Sequence, residues 1–196
     1  MSRVRLLAAI SLIVALAVAL VVVLMQQRSS ERSKPVAASA ASELATPAAP
    51  PLPEPVPVPT PDNRGRDFDH IWREMQRFVN WAYGHPEAAL HHIHLVYHPE
   101  CSCYAELKDD LSLLVQRGVH FEDAGFQVQD VVVTSDLGEA VRIETRMAIA
   151  PQQAVDAQGD VVQSGEGVPP RDFAANLELQ DDGRWLARTI ELMAPS

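Results

Sequence analysis

The sequence predicts an α+β fold, in which three amphipathic helices are followed by a curved antiparallel sheet and preceded by one transmembrane helix. Between Phe68 and Arg117, apolar residues recur every three or four positions, as in helices that bury one face. After Gly118 they recur at every second position, as in half-buried strands. Residues 6–25 are uncharged and almost entirely apolar, and a helix of that length spans ~30 Å, the thickness of a bilayer's hydrocarbon core.

The apolar segment at residues 6–25 is predicted to be an uncleaved signal anchor, preceded by a short tail at residues 1–5. A secretory signal peptide also begins with basic residues, but its apolar region spans only ~7–15 residues. The nearest small-residue cleavage pattern, Ala38-Ser39-Ala40, lies well beyond the apolar end. The chain is therefore expected to cross the cell membrane once through residues 6–25.

Residues 26–66 are predicted to form a disordered stalk rich in Pro, Ala and Ser, because they contain too few large apolar side chains to fold. Eight prolines fall between Pro47 and Pro61, which favours an extended polyproline II chain. This part is either a spacer across an envelope layer or a docking ligand for a proline-binding module. Basic residues flank the anchor on both sides, so orientation is predicted from the stalk and the acidic domain that follow it. We expect that domain to be extracytoplasmic.

The charge of the chain excludes one class of partner. From Asp67 onward there are 22 acidic and 9 basic residues, a net charge of -13. Contacts to phosphates supply most of the affinity for nucleic acids, so a domain this acidic is not expected to bind DNA or RNA. Residues 67–196 have the size of one domain with a single core.

Three helices are predicted in the first half of this domain. The first begins at Phe68 and stops at Gly84, with an apolar stripe formed by Phe68, Ile71, Trp72, Met75, Phe78, Val79 and Ala82. The second begins at Pro86, ends at Pro99, and buries Ala89, Leu90, Ile93 and Tyr97. The third covers residues 104–117, ends before Gly118, and buries Tyr104, Leu107, Leu111, Leu114 and Val115. Trp81 lies opposite the apolar stripe of the first helix. It is predicted either to be exposed as an anchor for a partner protein or to pack on the following turn and the second helix.

Two hairpins are predicted in the second half. A strand containing Val141 and Ile143 alternates apolar and charged residues, and its partner is residues 126–133, joined through a turn at residues 135–138. Val133 and Val131 are expected opposite Val141 and Ile143, with a bulge near Asp130 where the apolar phase switches.

The second hairpin is predicted to turn at Asp182-Gly183 as a type I′ turn. That turn places Leu179 opposite Leu186, Leu177 opposite Arg188, Ala175 opposite Ile190 and Phe173 opposite Leu192. Between the hairpins, residues 151–170 are expected to be a long loop or a flexible hairpin extension.

Three segments of the chain resemble the NTF2-like superfamily. They are RFVNWAYGHPEAAL at the end of the first helix, HPECSCYAEL at the entry to the third, and the closing DGRWLARTIEL. The resemblance is to the small membrane-anchored or lipoprotein domains of unknown function in high-GC Gram-positive bacteria. It implies a cone of three helices on a curved antiparallel sheet, often enclosing a pocket, and an envelope location. This chain departs from it in having a signal anchor instead of a lipobox, and in having its cysteines one residue apart instead of two.

Cys101 and Cys103 are the only cysteines, and a pair in an extracytoplasmic domain usually forms a disulfide. We predict that disulfide as a local staple between the second and third helices. Free or redox-active thiols, metal ligands and intermolecular pairing remain alternatives.

Three histidines form the second group of chemical interest. His91, His94 and His98 are predicted to lie along one edge of the second helix, close to the cysteines, where nitrogen and sulfur ligands would suit zinc or copper. The usual ligand spacings are absent, so a solvated helix edge is the competing interpretation and no metal ligand is assigned.

No residue is assigned a catalytic or cofactor-binding role. The acidic residues of the sheet, Asp130, Glu144 and Glu178, fall on the polar side of the alternation and are expected to be solvated. We therefore predict a non-catalytic interaction domain that binds another envelope protein or a copy of itself. The alternatives are a small-molecule-binding or isomerase-like pocket and a His/Cys metal-binding domain.

Overall fold

A computed structural model describes residues 56–194, which form four helical segments followed by seven strands. The helical segments are α1 (Phe68–Gly84), α2 (Pro86–Ala89), a 3-10 turn (Ile93–Leu95) and α3 (Ser102–Arg117). The strands are β1 (Val119–Phe121), β2 (Phe126–Asp136), β3 (Ala140–Ile149), β4 (Gln152–Asp156), β5 (Val161–Gly165), β6 (Val168–Leu179) and β7 (Trp185–Leu192). Two antiparallel sheets result, in the orders β2-β3-β6-β7 and β1-β4-β5. The predicted α+β class is confirmed.

The predicted anchor at residues 6–25 and most of the predicted stalk lie outside the described residues. Between residues 56 and 194, none of the helices has the length and apolar content needed to cross a bilayer. The end of the predicted stalk packs on the domain: Asn63 is buried, its Nδ2 donates to the carbonyl oxygens of Leu95 and Trp185, and its own carbonyl oxygen accepts from the Trp185 N–H.

Helix α1 has the bounds and the buried stripe that the sequence predicts. Asp67 caps its start, because the carboxylate accepts a hydrogen bond from the His70 N–H, and Asp69 places a negative charge in its first turn. The buried residues are those predicted, with Gln76 in addition. Trp81 packs, with its ring centroid 5.5 Å from Phe78 and 5.2 Å from His85.

The prediction that the second helix runs continuously from Pro86 to Pro99 is wrong. Helix α2 ends after one turn at Ala89, and a separate 3-10 turn follows at Ile93–Leu95. The reason is tertiary pairing with β7, since the Ala187 N–H donates to the Val96 carbonyl and the His98 N–H donates to the Ala187 carbonyl. In a helix through these positions the His98 N–H would donate to the His94 carbonyl, and the bond to Ala187 replaces that one.

Helix α3 begins two residues earlier than predicted and ends where predicted. Gly118 adopts a left-handed conformation with φ of 64°, which closes the helix through hydrogen bonds to the carbonyls of Leu114 and Val115. Leu107 and Leu111 are buried as expected, whereas Val115 is 37% exposed because it faces a surface groove.

Two bulges set the register between β2 and β3. The predicted bulge is present between Val128 and Asp130, but a second one lies between Val133 and Ser135. It shifts the pairing, so Val133 lies opposite Ile143 and Asp136 lies opposite Val141, and the predicted valine pairs are wrong. The alternation of apolar and polar residues does not reveal the position of a single extra residue in one strand, so the second bulge was not predicted.

The β6–β7 hairpin has a three-residue loop instead of the predicted two-residue type I′ turn. The Gln180 N–H donates to the Arg184 carbonyl, the Gly183 N–H donates to the Gln180 carbonyl, and Gly183 has a φ of 81°. Leu179 therefore lies opposite Trp185, and Leu177 lies opposite Ala187. A bulge at Arg188 restores the register, so the predicted pairs Ala175 with Ile190 and Phe173 with Leu192 are confirmed.

Residues 151–170 contain regular structure. Strands β4 and β5 form a hairpin within this span, and β4 also pairs with β1 to complete the second sheet. Of the two predicted alternatives, the hairpin extension is therefore the observed one. The loop alternative fails because the chain between residues 152 and 165 pairs with itself.

Candidate functional site

The space between α1 and the four-stranded sheet is filled with side chains. Trp72, Phe78 and Trp185 are fully buried there, and Phe68 meets Trp185 edge-on with ring centroids 5.0 Å apart. Most of the inward residues of the sheet that meet them are apolar, and Thr145 is a buried polar one. A pocket of the kind that the resemblance implies would have to lie in this region, which aromatic rings occupy instead.

Three polar atoms in this interior have no hydrogen-bond partner within the described structure. They are Trp72 Nε1, Gln76 Nε2 and Thr145 Oγ1. Tyr97 is also buried, and burial raises the pKa of its phenol well above the ordinary value, so the hydroxyl stays neutral. These polar groups lie in an otherwise apolar core. A buried donor without a partner lowers the free energy of unfolding by ~1–3 kcal/mol.

A groove of about 550 Å³ lies outside this interior, between the ends of α1 and α3, helix α2 and the small sheet. Most of its wall is aliphatic or backbone. The lining residues are Val56, Gly84, His85, Pro86, Glu87, Ala88, His91, Leu114, Val115, Gly118, Val119, His120 and Ala157. The volume is that of a small-ligand cleft, or of a few residues of an extended peptide.

The polar groups of the groove are three imidazoles and one carboxylate. The His85 ring stacks on Trp81 at an interplanar angle of 19°, and its Nδ1 lies 3.1 Å from the Trp81 carbonyl oxygen, which fixes the ring. His91, His120 and Glu87 complete the set. A single formal charge makes the groove close to neutral within a strongly acidic domain, so it suits an apolar occupant.

Cys101 and Cys103 are close enough to bond, with Cα atoms 5.1 Å apart and their sulfur atoms joined as a disulfide. Both residues are buried. Cys101 also caps α3, because its Sγ accepts a hydrogen bond from the Cys103 N–H at 3.2 Å. The arrangement is that of a local staple at the entry to α3, and burial separates the sulfur atoms from solvent.

The predicted histidine edge does not form. His91 lines the groove, whereas His98 lies beside the β7 bulge with its Nδ1 2.7 Å from an Arg188 guanidinium nitrogen. The break between α2 and the 3-10 turn separates the two positions. Across the described part of the chain, no three His, Cys, Asp or Glu side chains are arranged to hold a metal ion.

The acidic residues of the sheet lie on its outer face, as predicted. Asp130 and Glu144 alternate with the inward-facing positions of β2 and β3, and Glu178 lies 3.6 Å from the Arg188 Nε. Each is a surface carboxylate beside or opposite a basic or apolar neighbour. None of these three carboxylates faces the interior between α1 and the sheet.

Several residues of interest could not be identified from the sequence. The sequence predicts Asn63 to be part of the proline-rich stalk. His85 and His120 both line the groove, but they are 35 positions apart in the sequence. In the predicted register Arg188 is the one charged residue on the apolar face of its strand. This exception was a signal that the strand contains a bulge at that position. The groove itself depends on how α2 breaks, and no local pattern encodes that break.

Comparison with known proteins gives similarity of fold at low identity. No protein-family model and no curated protein matches the sequence. The intermembrane space region of the chloroplast protein ARC6 is similar at a TM-score of 0.49 and 14% identity, over 66% of this chain and 96% of that one. ActVI-ORFA from Streptomyces coelicolor is similar at a TM-score of 0.41 and 10% identity, over 62% and 92% of the two chains.

An NTF2-like superfamily protein from Salmonella enterica is also similar, at a TM-score of 0.39 and 10% identity, over 63% of this chain and 87% of that one. The name of that structure is the superfamily that the sequence of this chain resembles. With TM-scores below 0.5, none of the three determines what this chain does. The closer likeness to membrane-anchored domains of high-GC Gram-positive bacteria stays a prediction.

Proposed function

We propose that the chain is a single-pass, membrane-anchored protein of the cell envelope whose extracytoplasmic domain binds a protein partner and has no catalytic role. The observation that carries this proposal is the filled interior, in which Trp72, Phe78 and Trp185 occupy the space where a substrate would bind. A domain of this size without an open interior acts through its surface.

The groove is the part of that surface best suited to a partner. It joins aliphatic walls from Leu114, Val115 and Val119 to three imidazoles, of which that of His85 is held in place, and only Glu87 carries a formal charge. A partner residue that enters it loses contact with water against apolar walls, which contributes ~25 cal/mol per Å² of apolar surface buried. The surrounding acidic surface disfavours acidic partners and anionic lipid.

The location is supported by the sequence and by the cysteine pair. An apolar segment at residues 6–25, a proline-rich stalk and an acidic domain with a buried cysteine pair form the order expected of an envelope protein. The stalk would hold the domain away from a negatively charged membrane surface, and so expose the groove to partners.

A photo-crosslinking experiment tests this proposal with a matched pair of positions on α3. A photoreactive phenylalanine analogue replaces Val115, which lines the groove, or Leu113, which is 43% exposed and does not line it. In cells that carry the full chain, we expect one discrete crosslinked product from position 115 that is absent from position 113. Products of equal yield at both positions, or none at position 115, would contradict a groove-based interaction.

A second candidate function is a small-molecule or isomerase-like site in the interior, and the three unpartnered polar atoms favour it. A ligand or ordered water beside Trp72 Nε1 or Thr145 Oγ1 would satisfy those atoms. Native mass spectrometry of the purified full chain separates the two candidates. A bound organic molecule that Thr145→Val releases would support the interior site, whereas an unliganded mass supports the interaction domain.

A further inference from the structure

Strand β2 is the edge of the four-stranded sheet, and α1 covers the first part of its free edge. The Asn80 side chain pairs with Phe126 as a neighbouring strand would, since Nδ2 donates to the Phe126 carbonyl and Oδ1 accepts from the Phe126 N–H, both at 2.9 Å. Arg73 donates to the carbonyl oxygens of Val128 and Gln129 at 2.7 and 3.2 Å. The edge is thus closed from residue 126 to residue 129.

The second part of the edge, residues 130–135, has no such cover. Among the described residues β3 is the only strand that pairs with β2, and it lies on the other side. Val132 is 58% exposed on the outer face, and Val133 is 45% exposed on the inner face, beyond the reach of the helices. Edge strands that face water usually carry lysine, proline or an inward charge. The segment Asp130–Ser135 contains neither lysine nor proline, and its three central residues are uncharged valines.

We propose that this open edge pairs in antiparallel fashion with the same segment of a second copy of the chain, centred on Val132. The inference goes beyond the proposed function, because it concerns a different surface and does not depend on the groove. A twofold axis through Val132 would join the two four-stranded sheets into one of eight strands.

The choice of register follows from the side chains that would lie opposite each other. Centred on Val132, Val131 lies opposite Val133 of the second copy, so all three valines pair with valines, and Asp130 lies opposite Ser135, because Thr134 is the bulged residue. Centred on Val133, Val131 would lie opposite Asp136 of the second copy, which places an apolar side chain against a carboxylate. Centred on Val131, Val132 would lie opposite the charged Asp130 of the second copy.

The flanks of the segment agree with this register. The bulges that follow Val128 and Val133 bound a regular stretch, and the strand can bend away at both ends, where α1 would otherwise obstruct a neighbour. Beyond the paired stretch, Arg73, which is bound at Val128 and already paired with Asp69, lies toward the end where Asp136 of the second copy would be found. Asp136 is already paired with Arg66, so this approach of opposite charges adds to existing ion pairs at both ends of the segment.

Cysteine crosslinking of the full chain in detergent tests the register. At the twofold axis the two residues 132 face each other with Cβ atoms ~5 Å apart. We expect Val132→Cys to form a crosslinked dimer at least tenfold faster than Leu137→Cys, although Leu137 is 80% exposed and Val132 only 58%. The unsubstituted chain controls for Cys101 and Cys103. Equal rates, or faster crosslinking at position 137, would overturn the proposal, because random collision favours the more exposed thiol.

A second measurement keeps the proposal testable without added thiols. Val132→Lys places two ammonium groups together at the axis, so we expect the dimer dissociation constant from sedimentation to rise at least tenfold. Val162→Lys on β5, at a position 46% exposed, is the matched control and should leave it unchanged. The absence of a dimer in the unsubstituted chain, or an equal effect of the two lysine substitutions, would contradict edge pairing. A negative result in the photo-crosslinking experiment at Val115 would contradict the groove proposal and leave edge pairing unaffected.

Discussion

Buried polar side chains are the residues whose roles only the fold reveals. Asn63 joins the end of the predicted stalk to Leu95 and Trp185, three positions far apart in sequence. Gln76 lies within the apolar stripe of α1, where the periodicity predicts only that the position is buried. Tyr97 appears in the sequence as one more apolar position of a helix. A pattern of hydrophobicity identifies buried positions, but it does not identify the partner of a polar group.

The buried phenol of Tyr97 predicts a loss of stability at alkaline pH. Burial raises its pKa above the ordinary value of 10.0, so the unfolded chain loses this proton before the folded one. The contribution is fully present below pH 10 and declines as the pH rises from there through the folded-state pKa, at ~1.4 kcal/mol per pH unit.

Urea denaturation between pH 8 and pH 11 measures this effect. Tyr97→Phe is expected to make the free energy of unfolding less dependent on pH above 10, because the substituted side chain has no proton to lose. The same pH dependence in both proteins would contradict a buried, neutral phenol at this position.

At the scale of elements, prediction succeeded where one local signal dominated. Helix α1 has a strong stripe and a capping Asp67, and α3 ends at Gly118, so both were predictable. The second helix failed because the pairing of residues 96–98 with β7 outweighs helical propensity. The two hairpins of the larger sheet were predictable from turns, whereas the pairing of β3 with β6 was not, and the bulges at Thr134 and Arg188 each add one residue that alternation does not show.

The end of α3 gives a prediction at this scale. Gly118 has a φ of 64°, a conformation that costs a residue with a Cβ ~1 kcal/mol. Gly118→Ala should therefore lower the free energy of unfolding by about that amount. Gly165→Ala is the control, since that glycine has open space and needs no left-handed backbone. Equal effects of the two substitutions in thermal or urea denaturation would contradict the role of Gly118 as a helix cap.

For the whole molecule, the sequence predicted the α+β class and the cysteine pair but not the surface groove. The groove needs α2 to stop after one turn, and it joins residues as distant as Val56 and Ala157. The open edge of β2 was equally hidden, because the sequence does not show that Asn80 and Arg73 close one half of it and leave the other. Surface sites of this kind depend on the packing of several elements, so no single segment encodes them.

The central proposal, an extracytoplasmic domain that acts through its surface, is tested most directly by labelling intact cells. The native cysteines are buried and joined, so an exposed thiol is introduced by Leu137→Cys in the full chain. A membrane-impermeant maleimide should label this protein in intact cells to the same extent as after lysis, while the unsubstituted chain stays unlabelled without reduction. Labelling of the variant only after lysis would place the domain inside the cell and contradict the proposal.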